Sequence, residues 1–395
     1  MNNYNTIIIG GGAAGFAAAS FLRGKKTLII EKTPRTLHKL AITGKGRCNV
    51  TNNCDMETLL RNIPKNAMFM RSALTRFTPQ DTITWLESLG VPLKTERGNR
   101  VFPASDKAED IVNALRKANT ADLVYDRALE LINGGVKCEK STYYAENIII
   151  ATGGMSYPKT GSTGDGYELA RKAGHTVTEI RPALVPIETI EDVSELAGLT
   201  LKNIRLTCGK FAEQGEMLFT HFGVSGPLAL SASWYVNQLS TVNCQLSIDL
   251  KPALDEKTLD ARILRDFSEN KNKQFKNSLS GLLPESMIEI FVKRSEINPE
   301  KQVNEITKTE RRRLLSLFKN FTLTVKGLRP IDEAVITDGG INVKEIDPKT
   351  MQSKLVKGLY FAGEIIDVTG FTGGFNLQLA WSTAYAAAQS INKIL

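Results

Sequence analysis

Three histidines and five cysteines are all that 395 residues hold. His38, His175 and His221 lie far apart, and Cys48, Cys54, Cys138, Cys208 and Cys244 include no Cys-x-x-Cys pair. A zinc ribbon and a vicinal dithiol centre are thereby excluded, no metal is expected, and free thiols in a reducing compartment are. No apolar run reaches the ~18–20 residues of a membrane span, so no membrane partner is expected. The opening Met1-Asn2-Asn3-Tyr4 has no basic segment, and the apolar run behind it passes straight into Gly10-Gly11-Gly12. It reads as a strand and not as a leader, and a cytoplasmic protein is expected. No Gly-Lys-Ser/Thr follows these glycines, which excludes a P-loop.

Lysine and arginine exceed aspartate and glutamate, for a net charge of +8. Such a balance suits nucleic acid, and equally a protein that holds a diphosphate. The densest basic run, Lys308 to Arg313, leads into Leu314-Leu315 and Leu317-Phe318. That spacing predicts a solvated face of an amphipathic helix. No aromatic-and-basic RNA motif accompanies it. A small-molecule substrate is therefore the expected partner and nucleic acid is not; the oligomeric state is left open. At this length two or three domains are expected.

What is present sits first at "IIIGGGAAGFAAAS", Ile7 to Ser20. Thr6 to Ile9 reads as a strand buried on both sides. Gly10-x-Gly12-x-x-Gly15 follows, Ala13 to Arg23 reads as a helix, and a second strand, Thr27 to Ile30, ends on Glu31. This is the order of a dinucleotide-binding unit: Gly10 for the turn, Gly12 for close approach of a pyrophosphate, Gly15 for helix–strand packing. The amides at the helix start, around Ala13 and Ala14, offer N–H groups to phosphate. Glu31 is placed to accept from ribose hydroxyls. No second motif of this spacing follows a strand, so a dedicated NAD(P)H domain is not expected; NAD(P)H stays open as a transient electron donor.

Further runs carry a resemblance. They are "ITGKGRCNVTN" (Ile42 to Asn52), "ATGGMSYPKTGSTGDGYELARKAGH" (Ala151 to His175), "PALVPI", "FTHFGVSGP", "TDGGI" and "GLYFAGEIIDVTGFTGGFNLQLAW" (Gly358 to Trp381). With the opening run they make the chain similar, over essentially its whole length, to a family of bacterial NAD(P)/FAD-dependent oxidoreductases that includes aminoacetone oxidase and a flavoprotein of bile-acid dehydroxylation. Lys45 departs from the resembling proteins, where glycine is common; the loop surface or a phosphate or substrate contact are both open for it.

The resemblance implies FAD as cofactor and a glutathione-reductase-type FAD fold. That means an α/β protein with a Rossmann-like three-layer FAD-binding domain, an inserted β domain and a small helical domain. The expected bounds are 1–187 plus 322–395 for the FAD-binding domain, 188–252 for the β-rich substrate domain and 253–321 for the helical one. It implies that Gly46, Arg47, Cys48, Asn49 and Thr51 lie along the pyrophosphate and the flavin edge. It places Lys32, Ala128, Thr152 and Gly153 in the same shell. Gly363, Glu364 and Asp367 are expected near the ribityl or phosphate groups. Gly374, Phe375, Asn376 and Leu377 are expected to open a helix toward the flavin ring, whose positive end would face the charge that develops on reduction. Candidates for proton transfer are His221, Tyr157 and Lys159. The expected activity is hydride transfer between flavin and a small molecule, as an amine oxidase or an NAD(P)H-dependent reductase. The alternatives are a flavoprotein acting on nucleic acid and a non-catalytic FAD sensor.

Overall fold

The computed structural model describes residues 3–239 and 244–393. The chain divides into two compact units, residues 1–183 with 331–395, and residues 184–330.

In the first unit β1 (Asn3–Ile9), β2 (Thr27–Glu31) and α1 (Ala13–Phe21) form as the hydrophobic pattern predicts. Further along come β3 (Thr51–Asn52), β4 (Leu93–Glu96), β5 (Arg100–Pro103), β6 (Asp122–Tyr125), β7 (Ala128–Ile132), β8 (Gly135–Cys138) and β9 (Thr142–Ile150). The main sheet runs β6-β2-β1-β9-β8-β7. Its centre is parallel, with Ile7 opposite Leu28 on one side and Ile148 on the other. The long β9 is shared. Its start pairs antiparallel with β8, and its end pairs parallel with Leu359–Phe361. Ile7, Ile8, Leu28 and Ile149 are fully buried, as a sheet covered on both faces requires.

Small residues set how closely the helices lie on this sheet. A Cβ on Gly15 would stand 2.0 Å from the Gly10 carbonyl oxygen, so α1 can sit there only with glycine. The Phe375–Asn392 helix packs alongside α1, and Ala384, Ala386, Ala387 and Ala388 on it are fully buried. Strands β3, β5 and β4 form a separate small antiparallel sheet.

A buried histidine ties down the far side of this unit. The Nδ1 of His175 is 3.0 Å from Glu345 and its Nε2 is 2.8 Å from the Ser353 hydroxyl. That hydroxyl already accepts from the Leu355 and Val356 amides, so its proton goes to Nε2. His175 is therefore the neutral Nδ1–H tautomer, donating to Glu345. Burial lowers its pKa; the Glu345 carboxylate works against that and does not overcome it. With the folded pKa below the unfolded value, the unfolded chain binds more protons as pH falls below ~6.5. Stability should therefore drop on acidification through that window, by at most about 1.4 kcal/mol per pH unit from this group. Urea unfolding from pH 7 to pH 5 should show a shallower decline in His175→Gln than in the wild type; equal slopes would mean that the imidazole charges at no cost.

The second unit is built on a closed barrel of six strands. In barrel order they are Ile187–Thr189, Gly223–Ser225, Phe211–Thr220, Thr200–Cys208, Gln245–Asp249 and Phe321–Leu328. Helices Glu256–Glu269, Glu285–Ser295 and Lys308–Lys319 lie between the last two strands in sequence. Residues expected as a separate helical domain share one apolar core with the barrel, where Phe291 lies 4.5 Å from Phe318 and is stacked on Phe321. The basic run is a helix face. Thr307 and Glu310 form a capping box, Arg311 pairs with Asp260 at 2.7 Å and Arg313 with Glu296 at 2.9 Å. His221 is exposed in a turn of this unit, edge-on to Phe222.

Candidate functional site

The carboxyl ends of β1, β2 and β9 open on one side of the main sheet, which is where such folds take ligands. The turn after β1 leads to Gly12, which caps α1 with no side-chain hydrogen bond, so the first helical amides are left for a ligand. A Cβ on Gly12 would meet nothing within 4 Å. Nearby, the buried Thr152 hydroxyl has no hydrogen-bond partner. Thr152 lines a cavity with Gly10, Glu31 and Ala128, and that cavity runs into a larger one of about 590 Å³. Open space over bare backbone and uncapped amides fit the pyrophosphate of a dinucleotide; the Thr152 hydroxyl itself is turned against Gly166.

Glu31 stands at this end. Its carboxylate accepts from the Gly11 amide at 2.8 Å and from the Thr33 amide at 2.7 Å. Lys32 pairs with Asp165 at 3.0 Å, and Arg127 reaches the same carboxylate at 2.9 Å. Burial alone would raise the Asp165 pKa; the hydrogen bonds from Arg127 and Lys32 outweigh it and hold the carboxyl at about 2. Lys159 lines the larger cavity together with Lys32 and Arg127, and Tyr157 is two residues before it. Lys159 thus stands at the Glu31 end of the cleft.

The other end is made by the loop of residues 43–52 and the start of the Phe375–Asn392 helix. Gly374 caps this helix at φ +98°, and a Cβ there would stand 2.5 Å from the Thr51 carbonyl. Only glycine allows that approach. Asn52 donates through Nδ2 to the carbonyls of Gly98 and Gly373, both at 3.0 Å. Trp381 donates to the Val50 carbonyl at 2.9 Å. The loop and the helix start are held as one piece.

Several expected contacts are spent within the protein. Arg47 binds Glu96 and Asp106 and lies 4.2 Å over the ring of Phe102, so its guanidinium braces the small sheet. Cys48 is fully buried, and burial pushes its thiol up to about 12, which removes the thiolate that redox chemistry needs. Asn49 accepts from the Val101 amide at 3.2 Å. The Thr51 hydroxyl goes to Gln378 at 2.6 Å. Asn376 closes the turn before its helix, bonded both ways to Gly370. Phe375 is buried and Leu377 half-buried. The side chains of Arg47, Thr51 and Asn376 thus each hold parts of the protein together.

Gly363 packs against Ala14 and donates to Thr383 at 2.9 Å; Gly153 turns the chain after β9, and Gly46 meets nothing within 4 Å. Glu364 is fully engaged by Lys39 at 2.7 Å, Ser156 at 3.1 Å and the Thr337 amide at 2.8 Å. The buried Asp367 pairs with Lys65 at 2.6 Å, and Lys65 also reaches the buried Asp338 at 3.5 Å. Lys39, Lys65, Asp338 and Gln378 were not anticipated. Asp338 lies in the quoted "TDGGI" run, which signals a turn and no chemistry, and Gln378 in the quoted run ending at Trp381; Lys39 and Lys65 lie outside every quoted run.

Fold and site define the class: an FAD-dependent oxidoreductase on a Rossmann-type sheet. Within that class the chain belongs to the HI0933-like family, whose HI0933-like protein Rossmann domain matches residues 4–390. It is 32% identical over 413 aligned positions, and all of both chains, to a Haemophilus influenzae protein named ribosomal RNA dihydrouridine synthase. It is 29% identical over 406 positions to the 3-dehydro-bile acid delta(4,6)-reductase of Clostridium scindens, covering 97% of this chain and 98% of that one. Among solved structures, the 3-ketosteroid delta1-dehydrogenase of Sterolibacterium denitrificans superposes with a TM-score of 0.53 at 12% identity, covering 99% of this chain and all of that one. That last likeness is one of fold. Among the described residues no helix is long and apolar enough to cross a membrane.

Proposed function

We propose that the protein is an FAD-dependent reductase that adds two hydrogens across a C=C bond conjugated to a carbonyl. The observation that carries the cofactor is the open backbone at Gly12 over uncapped amides. The reaction class is supported by the two full-length relatives. One name describes reduction of a uracil ring, the other reduction of a dienone, and both substrates are alkenes polarised by a carbonyl.

Bound FAD supplies two-electron hydride chemistry. The chain supplies binding and electrostatics. The amides at the start of α1 and Gly10–Gly15 hold the pyrophosphate, and Glu31 meets the ribose. The amides after Gly374 put a partial positive charge at the ring edge, worth ~0.3–2 kcal/mol toward a negative charge there. Cys48, kept as thiol, stays out of the redox step. NAD(P)H from solution is the electron donor in this reading.

The test is anaerobic. The flavin of the purified protein is reduced with NADPH, NADH or dithionite and mixed with a steroid enone or with uridine in RNA. Return of the yellow oxidised spectrum, with a product two hydrogens heavier, is expected from a conjugated alkene. If every such acceptor leaves the flavin bleached while amines bleach the oxidised enzyme, the reductase reading gives way to an oxidase.

A further inference from the structure

The short segment that carries Tyr157 and Lys159 is anchored firmly at its ends and lightly between them. Before it, the amides of Met155 and Ser156 both donate to the Thr337 hydroxyl, at 2.8 and 3.1 Å. After it, Asp165 opens the Asp165–Lys172 helix, whose Tyr167 and Leu169 are buried in the core of the unit. Between these anchors, among the described residues, every backbone hydrogen bond of residues 157–163 closes inside the segment. The amides of Thr160, Gly161 and Thr163 donate to the carbonyls of Tyr157, Pro158 and Gly161, at 2.8, 3.0 and 3.1 Å. A backbone satisfied in this way loses no bond when it moves as one piece. Its two ends turn through the left-handed region, at Tyr157 with φ +52° and at Gly164 with φ +84°. For a tyrosine that conformation is uncommon and marks a turning point of the chain.

One hydroxyl fastens the segment to its surroundings. Thr163 accepts from the Lys32 ammonium and donates to Asp165 Oδ1 at 2.8 Å. Among the described residues this is the only polar link from residues 157–163 to the rest of the chain. Packing adds one close approach: a Cβ on Gly161 would stand 2.9 Å from the Thr33 methyl, so the segment lies on the chain that follows Glu31. The segment is also a wall. Pro158, Lys159 and Thr163 line the larger cavity with Lys32 and Arg127. Gly161 lines both cavities, the smaller one together with Gly10 and Glu31.

We infer that residues 157–163 form a strap that lifts to pass the adenosine half of FAD and closes over it, with the Thr163 hydroxyl as the latch. Lifting breaks the two Thr163 hydrogen bonds and the Gly161 contact, and no backbone bond. Lys32 and Arg127 keep Asp165 as partner when the strap is open. The inference rests on the placement of the ribose at Glu31 and not on what the flavin reduces. A latch that holds with and without ligand slows entry and exit alike. A residue that only touched the ligand would change the exit rate and with it the affinity.

The test compares wild type with Thr163→Val and Thr163→Ser in stopped-flow binding and release of FAD. Thr163 is exposed, so both variants should fold. Thr163→Val removes the hydroxyl and should speed both entry and exit about fivefold or more, with affinity within about twofold of wild type. Thr163→Ser keeps the hydroxyl and should match wild type in both rates. Trypsin gives a second reading: cleavage after the exposed Lys159 should be faster in Thr163→Val than in wild type, and FAD should slow it in both. Three results overturn the strap: Thr163→Val with wild-type rates, Thr163→Val whose affinity falls while entry is unchanged, or trypsin that cuts both proteins equally fast. ADP and FMN, which carry the adenosine and the flavin halves, separate the strap from its premise. Thr163→Val should bind and release ADP faster and leave FMN unchanged. If FMN is the half that speeds up, the placement at Glu31 falls together with the strap. If neither half does while FAD still binds wild type, the strap alone falls.

Discussion

Gly12→Glu should give a folded and colourless protein. Gly12 sits at the start of α1 with φ −90°, a conformation open to any residue, and a Cβ there meets nothing within 4 Å. The fold therefore has room for the side chain. The ligand does not, because the new carboxylate would stand where the pyrophosphate approaches and would repel it. Loss of at least a thousandfold in FAD affinity is expected, about 4 kcal/mol or more. The far-UV circular dichroism and thermal midpoint should match those of wild type stripped of FAD. Gly15→Ala is the contrast, three residues on. Its Cβ would stand 2.0 Å from the Gly10 carbonyl oxygen, so it should cost the fold itself and yield little soluble protein. A yellow Gly12→Glu protein, or a Gly15→Ala protein as stable as wild type, would contradict the placement of the turn.

The contrast marks what can be read in the chain and what cannot. The Gly10–Gly15 turn is legible because every residue that explains it lies within one strand, turn and helix. Gln245–Asp249 is legible as a strand from alternation, whereas Thr200–Cys208 reads as two short runs because a bulge between Leu201 and Ile204 breaks the period. The closure of the barrel is not legible, since Ile187–Thr189 pairs with Phe321–Leu328 across the whole insert. Side-chain duties are the least legible. Arg47 beside a glycine-rich loop has the chemistry of a phosphate ligand, yet its partners come from 49 and 59 residues away. Asn376 looks aimed at a ring and instead closes its own turn with Gly370. Spacing reveals which backbone can approach a ligand. It does not reveal which polar side chains the fold has already taken.

Gln378 is the sharpest case and carries the second large expectation. It is fully buried in the Phe375–Asn392 helix. Its Oε1 accepts from the hydroxyls of Thr51 at 2.6 Å and Thr82 at 2.8 Å. Its Nε2 donates to the Phe77 carbonyl and the Ser382 hydroxyl, both at 3.0 Å. Gln378→Leu keeps most of the volume and removes every one of these bonds. Phe77 keeps a partner in the Ser382 hydroxyl at 2.8 Å. The two threonine hydroxyls are left buried without an acceptor, at roughly 1–3 kcal/mol each, so a loss of about 2–5 kcal/mol in urea unfolding is expected. The damage should also reach the ligand. Thr51 abuts Gly374, so releasing its side chain loosens the loop against the helix start, and FAD affinity should fall about tenfold, some 1.4 kcal/mol. Thr82→Val tests the same network from its other arm. It removes one donor and leaves Thr51 bonded, so it should lower stability while leaving FAD affinity near the wild-type value. If both variants weaken FAD equally, the coupling runs through general loosening of the unit; if Gln378→Leu alone does, it runs through Thr51.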